Sequence, residues 1–331
     1  MIGAVDIGGT KVALGLATES GRLVCGRELP APPLCCAGVR GLCEVRDALA
    51  GMAREAGCAL RGVGIGCTGP VDPASGRIGH VATIRGWNGL NLVEAFSSLG
   101  VPVAVENDAD AGALGEAAWG AGRGADRLAY VTVGTGIGGG MVLGGQLYRG
   151  AGGAHPEVGH HILEWGGEPC YCGARGCWEA MASGPAMAAE FARETGRDGR
   201  TARDICDLAR GGDQAALRAV GREARYLGLG LVNLITLFVP GVIALGGGLM
   251  KSWDLFEQRA AEIVRQYCTQ VPAAVTRIVP AGLGADLPLL GAARVWIQRY
   301  CGGRILLCDP NNGKCSKPRP SGAARPVRRS R

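Results

Sequence analysis

Residues 2–7 (IGAVDI) make an apolar strand that breaks at Gly8-Gly9-Thr10, and residues 11–17 (KVALGLA) resume a strand up to the Glu19-Ser20-Gly21 turn. A strand, a glycine turn and a returning strand form a hairpin whose tip has no bulky side chains to hold a ligand off. The same design recurs at residues 128–133, followed by GTGIGGG (134–140), residues 141–143, a Gly144-Gly145 turn and residues 146–148. Two copies of one supersecondary unit imply two lobes of related topology. With 58 glycines and only 5% aromatics, turns rather than aromatic packing mark this chain.

Between the hairpins, residues 62–66 and 101–106 have strand character, and residues 109–119 form a helix capped by Asn107 or Asp108. Such alternation is α/β. After Glu179 the pattern turns helical (201–210, and 213 to about 238), then gives a strand at 242–245, Gly246-Gly247-Gly248, a helix at 253–267 and a last helix at about 289–300. Glycines at 120–124 suggest a boundary: an N-terminal lobe of residues 1–120, completed by the helix at 287–300, a larger lobe of residues 121–286, and a basic tail of residues 301–331 that reads as a disordered appendage. The uncharged run 226–245 is long enough to raise a membrane span. Asn233, Thr236 and Pro240-Gly241 divide it into a buried helix and a buried strand, and no membrane partner is expected.

The formal charge of +6 sits in the tail: residues 301–331 hold eight Lys/Arg and one Asp, which leaves residues 1–300 at about −1. The body therefore lacks the basic surface that nucleic acid requires, and no nucleic-acid partner is expected. No basic segment followed by an apolar stretch opens the chain, so a cytoplasmic, reducing compartment is expected, with most of the fourteen Cys as free thiols.

Gly134-x-Gly136-x-x-Gly139 matches the dinucleotide fingerprint by letter, but a strand follows where that fingerprint needs a helix. No glycine run ends in Gly-Lys-Ser/Thr, which excludes a Walker loop. A glycine turn between strands instead offers backbone N–H groups to phosphate oxygens. In the first hairpin Asp6 has the chemistry to hold hydrated Mg²⁺, and the Thr10 hydroxyl can donate to phosphate.

His160, Cys170, Cys172 and Cys177 follow H-x9-C-x-C-x4-C, a ligand set for a closed tetrahedral zinc site of structural type. Gly173 and Gly176 let the chain fold tightly around an ion. His161 is the competing imidazole, to which a surface role is assigned.

DIGGTK (6–11), VTVGTGIGGG (131–140) and VIALGGGLM (242–250) together resemble the two phosphate loops and the adenosine segment of the actin-like ATPase and sugar kinase superfamily. Glu157-Val158-Gly159-His160, the Cys cluster and Glu179 further resemble the signature of the ROK family of bacterial sugar kinases and sugar-responsive repressors, over roughly residues 2–300. The resemblance implies a two-lobed, ribonuclease H-like α/β fold with ATP and sugar in the cleft between lobes. It implies nucleotide contacts from Asp6, Gly8, Gly9, Thr10, Lys11, Thr132, Gly134, Thr135, Gly136, Gly138, Gly246, Gly247 and Gly248. By the same resemblance Glu157, His160 and Glu179 line the sugar, Asn107 and Asp108 contact the accepting hydroxyl, and Gly69 approaches the ring. A homodimer is the family-like state.

The resulting expectation is phosphorylation of a hexose by Mg-ATP, foremost glucose at its 6-hydroxyl, with Asp108 as general base kept ionised by its place at a helix N-terminus. Fructose, mannose, N-acetylmannosamine and N-acetylglucosamine stay open as substrates. Where related kinases carry Pro-Asn-Leu before Gly86-Trp87, this chain has Ala82-Thr83-Ile84, so Thr83 reaches less far than an Asn. The competing class is a sugar-sensing regulator, which would place a helix-turn-helix ahead of the first phosphate loop, and Asp6 lies only six residues from the start.

Overall fold

A computed structural model describes residues 1–302 and a two-rung antiparallel ladder between Leu307–Cys308 and Cys315–Ser316. Beyond these, the basic tail and its expected role as an appendage lie outside the described residues.

The N-terminal part contains β1 (Ile2–Ile7), β2 (Lys11–Ala17), β3 (Leu23–Pro30), α1 (Ala31–Cys36), α2 (Val39–Glu55), β4 (Gly62–Cys67), α3 (Leu92–Phe96), β5 (Val103–Asn107) and α4 (Asp108–Trp119). Its strands run in the order β3-β2-β1-β4-β5, with β1 antiparallel to β2 and parallel to β4, and β4 parallel to β5. The second part contains β6 (Arg127–Val133), β7 (Ile137–Leu143), β8 (Gln146–Leu147), α5 (Trp178–Ala182), α6 (Gly184–Thr195), α7 (Ala202–Arg210), α8 (Gln214–Phe238), β9 (Val242–Gly246), α9 (Trp253–Tyr267), β10 (Arg277–Pro280) and α10 (Leu287–Tyr300). Its sheet, β8-β7-β6-β9-β10, repeats the first strand for strand and direction for direction. The twin glycine hairpins are β1–β2 and β6–β7, the matching hairpins of a duplicated unit.

Three apolar clusters separate the layers. α1, α2 and α3 cover the outer face of the first sheet, where Leu42, Val45, Leu49 and Met52 of α2 recur at helical spacing. α5 to α9 cover the outer face of the second sheet. Between the sheets lie α4 and α10, with Ala113, Leu114, Leu290 and Trp296 packed against Ile2 and Ala104 on one side and Leu128 and Tyr130 on the other. A Cβ at Gly64 would come within 1.9 Å of the Ala292 carbonyl oxygen, so glycine there lets α10 lie directly on β4.

Local signals set the helix ends. Asn107 caps α4 by accepting from the N–H groups of Ala109 and Asp110, Thr201 and Asp204 form a capping box on α7, and Asp213 caps α8. The apolar run 226–245 divides as expected into the end of α8 and β9, joined at Val239, which adopts φ +45°. No helix among the described residues is long and apolar enough to cross a membrane.

Candidate active site

In parallel strands the C-terminal ends lie side by side, and open α/β sheets bind ligands at those ends. In the first sheet Ile7, Cys67 and Asn107 are in register at the ends of β1, β4 and β5. Asp6 is one residue back on β1, and Asp108 opens α4 directly after β5. A Cβ built on Gly66 would lie 3.5 Å from Asp6 Oδ1 and 3.7 Å from Asp108 Cα, so glycine on β4 leaves room between the two acids.

Both carboxyls are shifted upward. Burial, then the charge of Asp108, raises Asp6 to about 7. Asp108 is open to solvent but deep between the sheets, and the desolvation there raises its pKa despite the Ala109 N–H and the charge of His155, which act the other way. The expected lowering by the helix N-terminus is thus outweighed. Two acids that cannot easily ionise together fit a neighbouring cation, such as the magnesium of a nucleotide complex.

The first glycine turn closes through Gly8 N–H donating to the Lys11 carbonyl at 3.0 Å. That leaves Gly9 and Thr10 as the parts of the tip with ligand-binding capacity. Thr83 packs over the tip: a Cβ on Gly9 would meet the Thr83 Cβ at 2.5 Å. Lys11 points its amine at Glu28 on β3, in a half-exposed ion pair.

In the second sheet Thr132 of β6 is paired with Gly138 of β7 and with Gly246 of β9. Gly134 N–H donates to the Gly136 carbonyl at 2.9 Å, and a Cβ on Gly134 would sit 3.7 Å from the Gly248 nitrogen. Gly247 has φ +91°, and a Cβ there would strike the Val133 carbonyl oxygen at 2.3 Å. The second glycine turn and the triple glycine therefore form one patch of bare backbone. A Cβ on Gly138 would contact the Ala109 Cβ at 3.6 Å, which puts β7 against the start of α4, beside Asp108.

Ile137 is where the remaining residues converge. Its N–H donates to Glu179 Oε2 at 2.7 Å, and a Cβ on Gly159 would lie 2.0 Å from its carbonyl oxygen. The Glu157–His160 turn thus crosses over the phosphate-loop candidate, and Glu179, on the first turn of α5, props it from the other side. Glu157 is exposed, and Gly69 stands at Asn107, whose Nδ2 would be 2.8 Å from an added Cβ. A cavity of about 540 Å³ is lined by Thr135, Cys170, Tyr171, Glu179, Ser183 and Arg222.

His160, Cys170, Cys172 and Cys177 bring one donor atom each to within 4.8 Å of one another. Cys172 Sγ is 3.6 Å from Cys177 Sγ, and Cys170 Sγ is 3.5 Å from His160 Nδ1. A tetrahedron with Zn–S bonds of about 2.3 Å has S···S edges of about 3.8 Å, so the spacing fits zinc. Burial pushes Cys170 up and Cys177 to about 12, whereas the Ala174 N–H lowers Cys172. Thiols so crowded need a dication before all can ionise. His160 Nε2 is 3.1 Å from the Tyr171 hydroxyl. His161 is half-buried rather than on the surface: its Nδ1 faces the Val158 carbonyl and its ring packs on Trp178.

Sequence reasoning missed two pairs. Arg149 closes onto the buried Glu106, and His155 Nδ1 is 2.8 Å from Oδ2 of the buried Asp110. A histidine two residues before Glu157 was the visible hint of the second.

The ROK family model matches residues 2–299. The chain belongs to the ROK family. Among its ROK relatives, a glucokinase of Streptomyces coelicolor is 34% identical over 87% of this chain and 95% of its own length. A xylose repressor of Bacillus subtilis is 32% identical over 65% of this chain and 56% of its own length. The ROK hexokinase of Thermus thermophilus superposes with a TM-score of 0.80 at 36% identity, over 91% of this chain and 99% of that one. A ROK glucokinase of Streptomyces griseus, solved with glucose and AMPPNP, gives 0.75 at 34%, over 88% and 97%. The twin sheets are those of the actin-like ATPase fold shared by these ROK structures.

Proposed function

We propose that this ROK protein is an ATP-dependent hexose kinase that phosphorylates glucose at its 6-hydroxyl, with Asp108 as general base. The observation that carries the reading is the position of Asp108. It stands at the start of α4, across from Asp6 at the end of β1 and beside β7 of the second glycine hairpin. A sugar hydroxyl at Asp108 and a γ-phosphate between the hairpins would meet there.

In the proposed step a carboxylate oxygen of Asp108 takes the hydroxyl proton as the sugar oxygen bonds to phosphorus. The bond from phosphorus to the bridging oxygen breaks, and ADP leaves. The transition state is largely dissociative, so the proton leaves late and orientation counts as much as basicity. The raised pKa of Asp108 brings it closer to that of a useful base at neutral pH. Asp6 would hold the hydrated magnesium of the nucleotide, which supplies charge neutralisation on the phosphates. Backbone around Gly9, Gly134, Thr135 and Gly136 would take phosphate oxygens, with Gly246, Gly247 and Gly248 toward the adenosine.

Glucose is favoured by the Glu157, His160 and Glu179 set and by the glucokinase relatives. Thr83, packed on Gly9, is the position at which sugar preference would be tuned. The zinc cluster would act as a staple that sets Glu179 and His160 in place. ADP release measured with Mg-ATP over glucose, fructose, mannose, N-acetylmannosamine and N-acetylglucosamine tests the reading, with glucose expected fastest. Sugar binding without ADP release would favour the regulator class represented by the xylose repressor.

A further inference from the structure

The site so far is rich in acceptors and short of donors. Asp108, Glu157 and Glu179 are carboxylates, and Asn107 spends its carbonyl oxygen on the α4 cap. His160 has Nδ1 turned toward Cys170 and Nε2 toward Tyr171. Each sugar hydroxyl is both donor and acceptor, and with the Asn107 amide nitrogen as the one neutral donor beside these carboxylates most hydroxyl lone pairs are left unrecognised.

His155 lies two residues before Glu157, with its side chain 17% exposed and Nδ1 2.8 Å from Asp110 Oδ2. Asp110, on the first turn of α4, is 1% exposed, and its other oxygen is buried with no hydrogen-bond partner among the described residues. A Cβ on Gly140 would approach that oxygen to 2.8 Å, so β7 passes tightly over it. A buried carboxylate left bare on one side is costly unless a cation pairs with it, and His155 is in that position.

Acidic groups lie near the pair on three elements. Asp108 is on α4, Glu157 on the loop of His155 itself, and Glu106 on β5 beside Asp110. Arg149, the basic group beside Glu106, is engaged with that carboxylate. Burial works to lower the imidazole pKa, but the hydrogen bond and charge of Asp110, with Glu157 and Asp108, carry it upward. A cationic ring that gives Nδ1–H to Asp110 keeps one more N–H at Nε2, whereas the neutral ring would present a lone pair there.

We propose that His155, clamped as a cation by Asp110, contacts the sugar and donates Nε2–H to one of its oxygens beside the acceptors Glu157 and Asp108. The inference rests on the hexose reading of this site, and it adds the charged donor that reading lacks.

Calorimetric binding of D-glucose and its 1-, 2-, 3- and 4-deoxy analogues tests it without requiring turnover. In the wild type one deoxy analogue is expected to bind about 10- to 100-fold more weakly than glucose, the size of a charge-assisted hydrogen bond. In His155→Phe, which removes the donor, that analogue should fall within about 3-fold of glucose, with AMPPNP affinity unchanged. Glucose affinity in the wild type should fall as pH rises through the raised pKa of His155, and this limb should move to lower pH in Asp110→Asn. The wild-type limb needs no variant, so it holds even if His155→Phe fails to fold. The proposal is overturned if every analogue costs the variant what it costs the wild type, if AMPPNP affinity drops in parallel, or if glucose affinity rises with pH. Failure of ADP release alone would reject the kinase reading and leave the contact standing, whereas a wild type that does not bind glucose rejects both.

Discussion

Glu179 Oε2 accepts a 2.7 Å hydrogen bond from the backbone N–H of Ile137, which ties the first turn of α5 to the second glycine hairpin. Gly136 allows it, since a Cβ there would come within 2.3 Å of the same oxygen. Cys177 of the metal cluster lies two residues before Glu179, directly ahead of the first residue of α5. A metal held by this cluster would therefore act on the sugar side and the phosphate side together.

Cys172→Ser is expected to lose the metal and weaken glucose binding by at least about tenfold, in line with the loss of a metal-orienting shell. Metal analysis beside glucose calorimetry checks it. A variant that keeps wild-type glucose affinity without zinc would separate the cluster from the site.

Asp6 links stability to function. Its carboxyl is raised to about 7, so the folded state holds its proton more tightly than the unfolded chain. Its contribution to stability is therefore lost as pH rises from near 4 toward 7, while the ionised form is the one that serves magnesium. Asp6→Asn should raise the melting temperature of the ligand-free protein at pH 8 and raise the KM for Mg-ATP by about tenfold or more. Affinity for Mg-ATP in the wild type should weaken as pH falls below about 7, and titration of both proteins across pH 6–8 checks the pair.

Glu223 on α8 is fully buried, and neither of its oxygens has a hydrogen-bond partner among the described residues. Burial holds it protonated, far above the usual carboxylate range. Glu223→Leu should stabilise the fold by about 1–3 kcal/mol, the cost of an unsatisfied buried polar group. The gain should grow with pH, because the buried acid resists the ionisation that the unfolded chain undergoes freely. Urea unfolding at pH 5 and pH 8 checks both points, and a loss of stability at pH 8 would mean that Glu223 has a buried partner.

The local structure around this candidate site was legible in sequence. Both glycine hairpins, the Asn107 cap and the metal set are short-range patterns, because turns, caps and loop ligands are decided by neighbours in the chain. The edge strand β3 carries no such pattern: its residues are mostly exposed or half-buried, and pairing with β2 rather than hydrophobic alternation fixes it. The start of β7 at Ile137 was hidden too, since strand pairing with β6 begins inside the glycine run. Asp110–His155 and Glu179–Ile137 join residues 45 and 42 positions apart, and only the folded layers bring them together. The pKa of Asp108 moved opposite to the helix N-terminus rule because the depth of the cleft, a tertiary property, outweighs a local dipole.

The measurement that bears most directly on the proposed activity is the turnover of Asp108→Asn with glucose and Mg-ATP. The amide keeps the size and the capping geometry, and Asn107 continues to hold the N-terminus of α4. With the base removed, kcat should fall by on the order of 10² to 10⁴, while glucose affinity stays within a few fold. A variant that turns over at near the wild-type rate would contradict the account, reduce Asp108 to part of the cap and pass the role of proton acceptor to Glu157.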